Sequence, residues 1–350
     1  MKKIIVLLYS LIHFVVDLGC CILVTNLISK KIGGTYTYFW GAIIYNFCGF
    51  VLQLPIGIIG DKLNKNALLS SLGCLLVALA YAIPNFEILA CIVAGLGNSL
   101  FHVGGGIDVL NISNKKASLS GIFVATGAMG VFLGTKSSSF GFDKYYIIIS
   151  VLVLSAISLI WLYTKIKDKV SNLEMGIPNL SKNEIIAVVC LIFTVCVRSY
   201  VGMILAFAWK SKFILAIISI LAVMFGKMLG GIIGDKIGFK KISVISLGLS
   251  AILFIFAFNN AVLGILAILF FNMTMPITLT ALSNMMNNNK GMAFGLLTVA
   301  LFVGSVPVFF GYTNLFTTIG LFSITIISAI ILYIGIDKYY IFTEKSGNDI

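Results

Sequence analysis

The sequence predicts an all-α integral membrane protein of twelve transmembrane helices in two repeated six-helix bundles. Three observations predict it. Hydrophobic residues make up 60% of the chain and charged ones only 10%, whereas a soluble domain of 350 residues needs far more charge to cover its surface. Apolar runs near the roughly 20 residues that a spanning helix requires follow one another almost end to end. A six-residue pattern also recurs half a chain apart: Gly57-Ile-Ile-Gly-Asp61-Lys62 returns as Gly231-Ile-Ile-Gly-Asp235-Lys236, an offset of 174 residues.

Turn signals divide the first half into helices at 4–28, 36–60, 66–84, 86–110, 117–138 and 144–165. The second half divides at 184–209, 213–234, 241–258, 260–283, 291–312 and 315–337, with the third and ninth runs the shortest. Residues 1–165 thus form an amino-terminal bundle. A polar linker at 166–183 joins it to a second bundle at 184–350, which ends in a short tail. The opening MKKIIVLLYSLIHF has the lysines and apolar stretch of a signal peptide, but Asp17 follows with no small-x-small cleavage site. Asp-Leu-Gly-Cys at 17–20 has aspartate where a lipoprotein box needs leucine, so the expectation is an uncleaved first helix. Thirty-four glycines and five prolines fit membrane helices that bend and pack closely.

The net charge of +12 does not point to nucleic acid. The lysines sit in short turns between apolar runs, with no basic domain and no basic strip interleaved with aromatics. They act instead as topology signals. With a cytoplasmic amino terminus, sixteen lysines fall on the cytoplasmic side and six on the other. Both termini and the linker are therefore expected in the cytoplasm of a multi-pass cell-membrane protein. The seven cysteines lie inside apolar runs without CxxC spacing and fit small core residues better than disulfide or metal partners.

The repeated turn resembles the signature loop of the major facilitator superfamily, G-x-x-x-D-[RK]-x-G-[RK]-[RK]. The first copy runs Gly57 to Lys65 and Asn66, with Lys62 after Asp61 and Asn64 in place of the glycine; the second runs Gly231 to Lys241, with Lys236 after Asp235 and Gly238 in place. Asparagine also tolerates left-handed geometry. The residue types suit a gate: glycine lets helices approach, the aspartate accepts from a helix amino terminus, and lysines favour the opposing ends. The other reading is an ordinary charged turn.

Three further segments resemble the fosmidomycin-resistance exporters within that superfamily. They are His13-Phe-Val-Val-Asp17, Gly95-Leu-Gly-Asn98-Ser-Leu-Phe101-His102 and Arg198-Ser-Tyr. Val103 and Gly104 replace the Pro-Glu that follows Phe-His in that family. Gly127-x-x-Gly130-x-x-x-Gly134 resembles the antiporter motif of the fifth helix, with Thr135 where proline is usual. The resemblance implies two six-helix bundles that rock about a central cavity.

Ionisable groups inside membrane helices are costly and become functional candidates. His13 and Asp17, four residues apart, share a face of the first helix. At about 1.5 Å per residue, Asp17 and Arg198 lie equally far along the first and seventh helices. Arg198 is the single arginine beside twenty-three lysines, a choice that favours fixed charge and a planar donor fork. It either binds an anionic substrate group or pairs with Asp17, switchably or as a permanent pin between the halves. Asn98 and His102 share a face of the fourth helix, a polar stripe suited to passage or to helix packing, and Asn272 is the repeat partner of Asn98. His13, Asp17, Asn98, His102, Arg198 and Asn272 form the candidate substrate and proton cavity. Gly57, Asp61, Lys62, Lys65, Asp108, Gly231, Asp235 and Lys236 form the candidate cytoplasmic gate, with Lys227 snorkelling or pairing beside it.

No P-loop, nucleophile elbow or paired carboxylate set appears, so neither an enzyme nor an ATP-driven pump is expected. No cofactor is expected, and two histidines without a clear third ligand are weak grounds for a metal. The expectation is a monomeric, proton-coupled exporter of a small anionic or amphiphilic antibacterial or metabolite. Its partners are that small molecule, protons and the bilayer. The rivals are an importer on the same fold and a membrane receptor or assembly factor.

Overall fold

The computed structural model describes residues 2–28, 35–141, 144–166, 180–286 and 288–345. Most of the predicted linker lies outside them, as do Lys30, Lys31, Lys167 and Lys169. The described residues form helices and short connections, with no strand among them.

Eleven helices are long and apolar enough to span a membrane. In the first half they are α1 (Lys2–Asn26), α2 (Phe39–Leu63), α4 (Glu87–Ser113), α5 (Ala117–Phe140) and α6 (Tyr145–Lys165). The shorter apolar helix α3 (Asn66–Ala80) falls between α2 and α4. The second half holds α7 (Lys182–Ile204), α8 (Phe213–Ile237), α9 (Phe239–Phe256), α10 (Ala261–Met285), α11 (Lys290–Phe309) and α12 (Thr318–Thr343). The regular part of α3 has 15 residues, about 22 Å. Tighter turns, from Tyr81 N–H to the Ala78 carbonyl through Ile83 N–H to Ala80, carry the chain further along. Pro84 disfavours helical geometry at Ile83, which accounts for an end four residues before the predicted one.

Burial is inverted relative to a soluble helix. On α1 the exposed large hydrophobic side chains are Ile4, Leu7 and Leu11, while Tyr9, Ser10, His13 and Asp17 are buried. Lipid solvates the apolar face and the polar groups must find partners inside. Prolines interrupt two helices where the missing N–H frees a carbonyl four residues back. Pro55 stands opposite Val51, the last residue of a π-helical stretch, Phe47–Val51. Pro276 stands opposite Asn272, where α10 divides into Ala261–Asn272 and Thr274–Met285.

The seventh helix ends at Ile204, five residues before its predicted end, with Leu205 at φ −70° and ψ 66°. Aromatic packing explains the early stop. Phe207 stacks on Trp209 with centroids 5.2 Å apart and meets Phe254, Phe258 and Phe316. The Trp209 indole N–H donates to the Ala257 carbonyl at 2.7 Å. At the other end of α7, Ser181 and Glu184 form a capping box that satisfies two orphan amides.

The chain divides into two compact units. One comprises Met1–Ile112, Thr126–Gly176 and Asn288–Val299; the other comprises Ser113–Ala125, Ile177–Asn287 and Ala300–Ile350. The first halves of α5 and α11 thus each group with helices of the opposite sequence half. Within the first unit α3 packs along α6, and α6 against α1. Within the second, α7 packs along α12, α12 along α9, and both α8 and α9 pack against α10.

Candidate functional site

In the first unit, α1 and α4 bring four of the predicted residues together. His13 Nε2 lies 3.2 Å from Asp17 Oδ2, one helical turn apart. The ring of His102 enters from α4, its Nε2 2.8 Å from His13 Nε2 and 3.6 Å from Asp17 Oδ1. The Asn98 amide donates to Asp17 Oδ1 at 3.1 Å and to Cys20 Sγ at 3.7 Å. The imidazoles meet edge to face, centroids 4.5 Å apart, and His13, Asp17 and Asn98 are all buried.

One contact fixes a tautomer. His102 Nδ1 is 2.9 Å from the Asn98 carbonyl oxygen, which can only accept, so Nδ1 carries the hydrogen. In the neutral ring Nε2 therefore presents its lone pair to His13 and Asp17. His13 Nε2–H donates into that space, shared between a ring nitrogen and a carboxylate.

The three glycines of the fifth-helix motif lie against α1. A side chain at Gly127 would meet Asp17 Oδ2 and His13 Nε2; one at Gly130 would meet the Phe14 carbonyl and Leu18 amide; one at Gly134 would meet Cys21. Gly127 therefore lets α5 close against the cluster without displacing Asp17 or His13.

Arg198, on α7 in the second unit, is buried and donates to Thr278 Oγ1 on α10 at 3.2 Å. Thr278 passes its own hydrogen to the Met275 carbonyl at 3.0 Å. Arg198 makes no ion pair among the described residues. The Asp17 carboxylate is engaged by His13 and Asn98, with His102 Nε2 3.6 Å away. Asn272 folds its amide back onto the Ile268 carbonyl at 2.8 Å, so it departs from the role of its repeat partner Asn98.

The gate residues separate into three groups. Asp61 Oδ1 and Oδ2 accept from the Gly291 and Met292 amides at 2.7 and 2.9 Å, in the first turn of α11. Asp235 accepts from the Ala117 and Ser118 amides at 2.7 and 3.0 Å, in the first turn of α5. Both carboxylates thus complete the orphan donors of a helix amino terminus, where the macrodipole also favours negative charge. Gly57 and Gly291 approach backbone to backbone, as Gly231 does to Ala117, leaving no room for a side chain. Asn64 takes the left-handed conformation at φ 48° and closes α2 by donating to the Gly60 carbonyl at 3.1 Å; Gly238 sits at φ 92° in the second copy. Lys62, Lys65 and Lys236 are exposed.

Asp108 stands apart from that latch. It is buried and accepts from Tyr9 Oη at 2.6 Å and Asn66 Nδ2 at 2.8 Å, tying α1, α3 and α4 together. Lys227 Nζ donates to the Val124 carbonyl at 3.2 Å.

Sequence reasoning missed several of these partners. Tyr9 lies four residues before His13 on the same stripe, a visible signal. Ala117 and Gly291 stand 174 residues apart, as do Gly121 and Gly295, so the repeat offset alone marks the helices that receive Asp235 and Asp61. Thr278 carries no sequence signal that distinguishes it from other helix threonines.

No protein-family model and no curated protein matches the chain. Solved structures do. A crystal structure of the Escherichia coli fucose:proton symporter FucP matches with a TM-score of 0.65 at 12% identity, covering 96% of this chain and 99% of that one. A bacterial homologue of the iron transporter ferroportin, in an outward-facing state, matches with a TM-score of 0.64 at 12% identity, covering 97% and 99%. A second FucP structure, described as a major facilitator superfamily transporter in the outward conformation, matches with a TM-score of 0.59 at 11% identity, covering 95% and 99%. Likeness of fold over nearly the whole length of both chains, together with the twofold-repeated helices and their reciprocal aspartate contacts, makes this an integral membrane protein of the major facilitator fold.

Proposed function

We propose that the chain is a secondary active transporter that moves a small molecule across the cell membrane against or with protons. The observation that carries the reading is the buried His13–Asp17–Asn98–His102 cluster. Four polar groups, three of them ionisable, are held inside helices whose outer faces are apolar, a costly arrangement that structural packing does not require. The fold supports it, since FucP is a fucose:proton symporter. Buried without a carboxylate partner among the described residues, Arg198 supplies fixed positive charge for an anionic substrate group.

In this reading both termini are cytoplasmic, the protein acts as a monomer, and it exports a small anionic or amphiphilic antibacterial or metabolite. Alternating access comes from rocking of residues 1–165 against 184–350. The Asp61 and Asp235 contacts hold the cytoplasmic ends of α2 and α8 to α11 and α5, and must break for that side to open. The likeness to a symporter supports a second direction, proton-driven uptake of a small solute through the same residues.

The test is a susceptibility screen, fosmidomycin included, in a pump-deficient host, with wild type, Asp17→Asn and Arg198→Ala at matched membrane levels. Resistance gained with wild type and lost with both variants supports export. If no compound shifts, gradient-driven uptake into proteoliposomes decides between the second direction and no transport at all.

A further inference from the structure

We propose that His13, Asp17 and His102 form a binding site for one divalent first-row transition-metal ion. Each residue offers one ligand atom, and the three atoms lie within 4.8 Å of one another. The two Nε2 atoms are 2.8 Å apart, and the carboxylate reaches His13 through Oδ2 at 3.2 Å and His102 through Oδ1 at 3.6 Å, separations near the roughly 3.3 Å edge of a tetrahedron built on bonds of about 2.0–2.1 Å. Small side-chain adjustments bring one atom of each residue onto a shared ion.

The supporting contacts are those that orient metal ligands. A ligating histidine donates its second ring N–H to a carbonyl or carboxylate, and a ligating carboxylate is itself hydrogen-bonded. His102 Nδ1 meets the Asn98 carbonyl at 2.9 Å and the Asn98 amide holds Asp17 Oδ1 at 3.1 Å, so one residue orients two ligands. Two imidazoles and a carboxylate select zinc, iron(II), cobalt(II) and their neighbours over magnesium and calcium, which prefer all-oxygen shells. A side chain at position 127 would strike both Asp17 Oδ2 and His13 Nε2, so glycine there lets α5 pack against two of the ligands without displacing them. Three protein ligands leave one tetrahedral position to a water or another exchangeable donor.

The ion's role as cargo rests on the transport reading above; its binding does not. His102 Nε2 and the Asp17 carboxylate already present lone pairs, and His13 becomes a ligand by carrying its ring hydrogen on Nδ1 in place of Nε2.

Purified full-length protein in detergent is titrated with Co²⁺, followed by visible absorption, and with Zn²⁺ by equilibrium dialysis and competition. One Co²⁺ per chain, a tetrahedral ligand-field band, displacement by Zn²⁺ and indifference to Mg²⁺ and Ca²⁺ are expected. His102→Gln abolishes the band, and the milder Asn98→Ala, which keeps all three ligands, weakens binding about 10- to 100-fold. Melting curves confirm that both variants are folded. Absence of saturable binding in wild type, or binding unchanged in both variants, overturns the site. Proton-driven flux of another solute without metal binding overturns it too, and leaves the transport reading standing. Binding without Zn²⁺ flux into proteoliposomes supports the site and removes only the cargo role.

Discussion

At the scale of single residues, the histidine–aspartate cluster sets a tight constraint on a position with no side chain. Gly127 borders Asp17 Oδ2 and His13 Nε2, and over-packing a filled site costs about 1–3 kcal/mol. Gly127→Ala is therefore expected to lower the melting temperature in detergent and to reduce transport at matched expression. Arg198→Lys keeps the charge but loses the fork, and a hydrogen bond to a charged group is worth about 1.5–3 kcal/mol. Uptake or efflux of an anionic substrate should fall about tenfold or more, with neutral substrates spared. Lys210, in the connection between α7 and α8, donates to the Leu205 carbonyl at 2.7 Å and lies near the rings of Phe207 and Trp209. Burial lowers its pKa from 10.5 to about 8. The folded chain then releases a proton that the unfolded chain still holds, so stability rises as pH climbs from about 8 to 10.5. Below pH 8 the burial penalty is present in full. Lys210→Met should melt above wild type at pH 7, with the gap closing towards pH 10.5. The ring and carbonyl contacts favour the charged form and limit the gain.

At the scale of elements, the turn after α2 separates two effects that the sequence joins. Asn64 occupies a left-handed position that costs most side chains about 1–2 kcal/mol. Asn64→Ala should lower the melting temperature, while Asn64→Gly should leave it unchanged or raise it. Asp61→Asn and Asp235→Asn keep the shape but remove the charge from helix amino termini, an effect of about 0.5–2 kcal/mol each. In a background without the seven native cysteines, a cysteine at position 292 should be labelled roughly 2- to 30-fold faster in Asp61→Asn. Helix count and order were legible because apolar runs and lysine turns repeat with little interruption. The end of α7 was not, because its last predicted residues, Phe207 and Trp209, are as apolar as a helix core and only their packing against Phe254, Phe258 and Phe316 reveals a turn. His13 and Asp17 could be paired from their spacing. Their meeting with His102 could not, since it depends on how α4 lies against α1.

At the scale of the whole molecule, the repeat survives at the Asp61 and Asp235 contacts and, among the cavity candidates, only at Asn98 and Asn272. Asp61 and Asp235, Gly57 and Gly231, Ala117 and Gly291 keep the 174-residue register. At that same offset His13 faces Ala187 and Asp17 faces Leu191, while Arg198 corresponds to Val24. The duplication is thus kept at the carboxylate–amide contacts and lost at His13, Asp17 and Arg198. One property of the latches reaches beyond the molecule. Both carboxylates read amide hydrogens, which every residue except proline supplies. Apart from Gly291, which has no room for a side chain, the receiving turns therefore carry little side-chain vocabulary. A substitution library at Met292 or Ser118 should accept nearly every amino acid while rejecting proline, and drift at these positions would leave no trace in function.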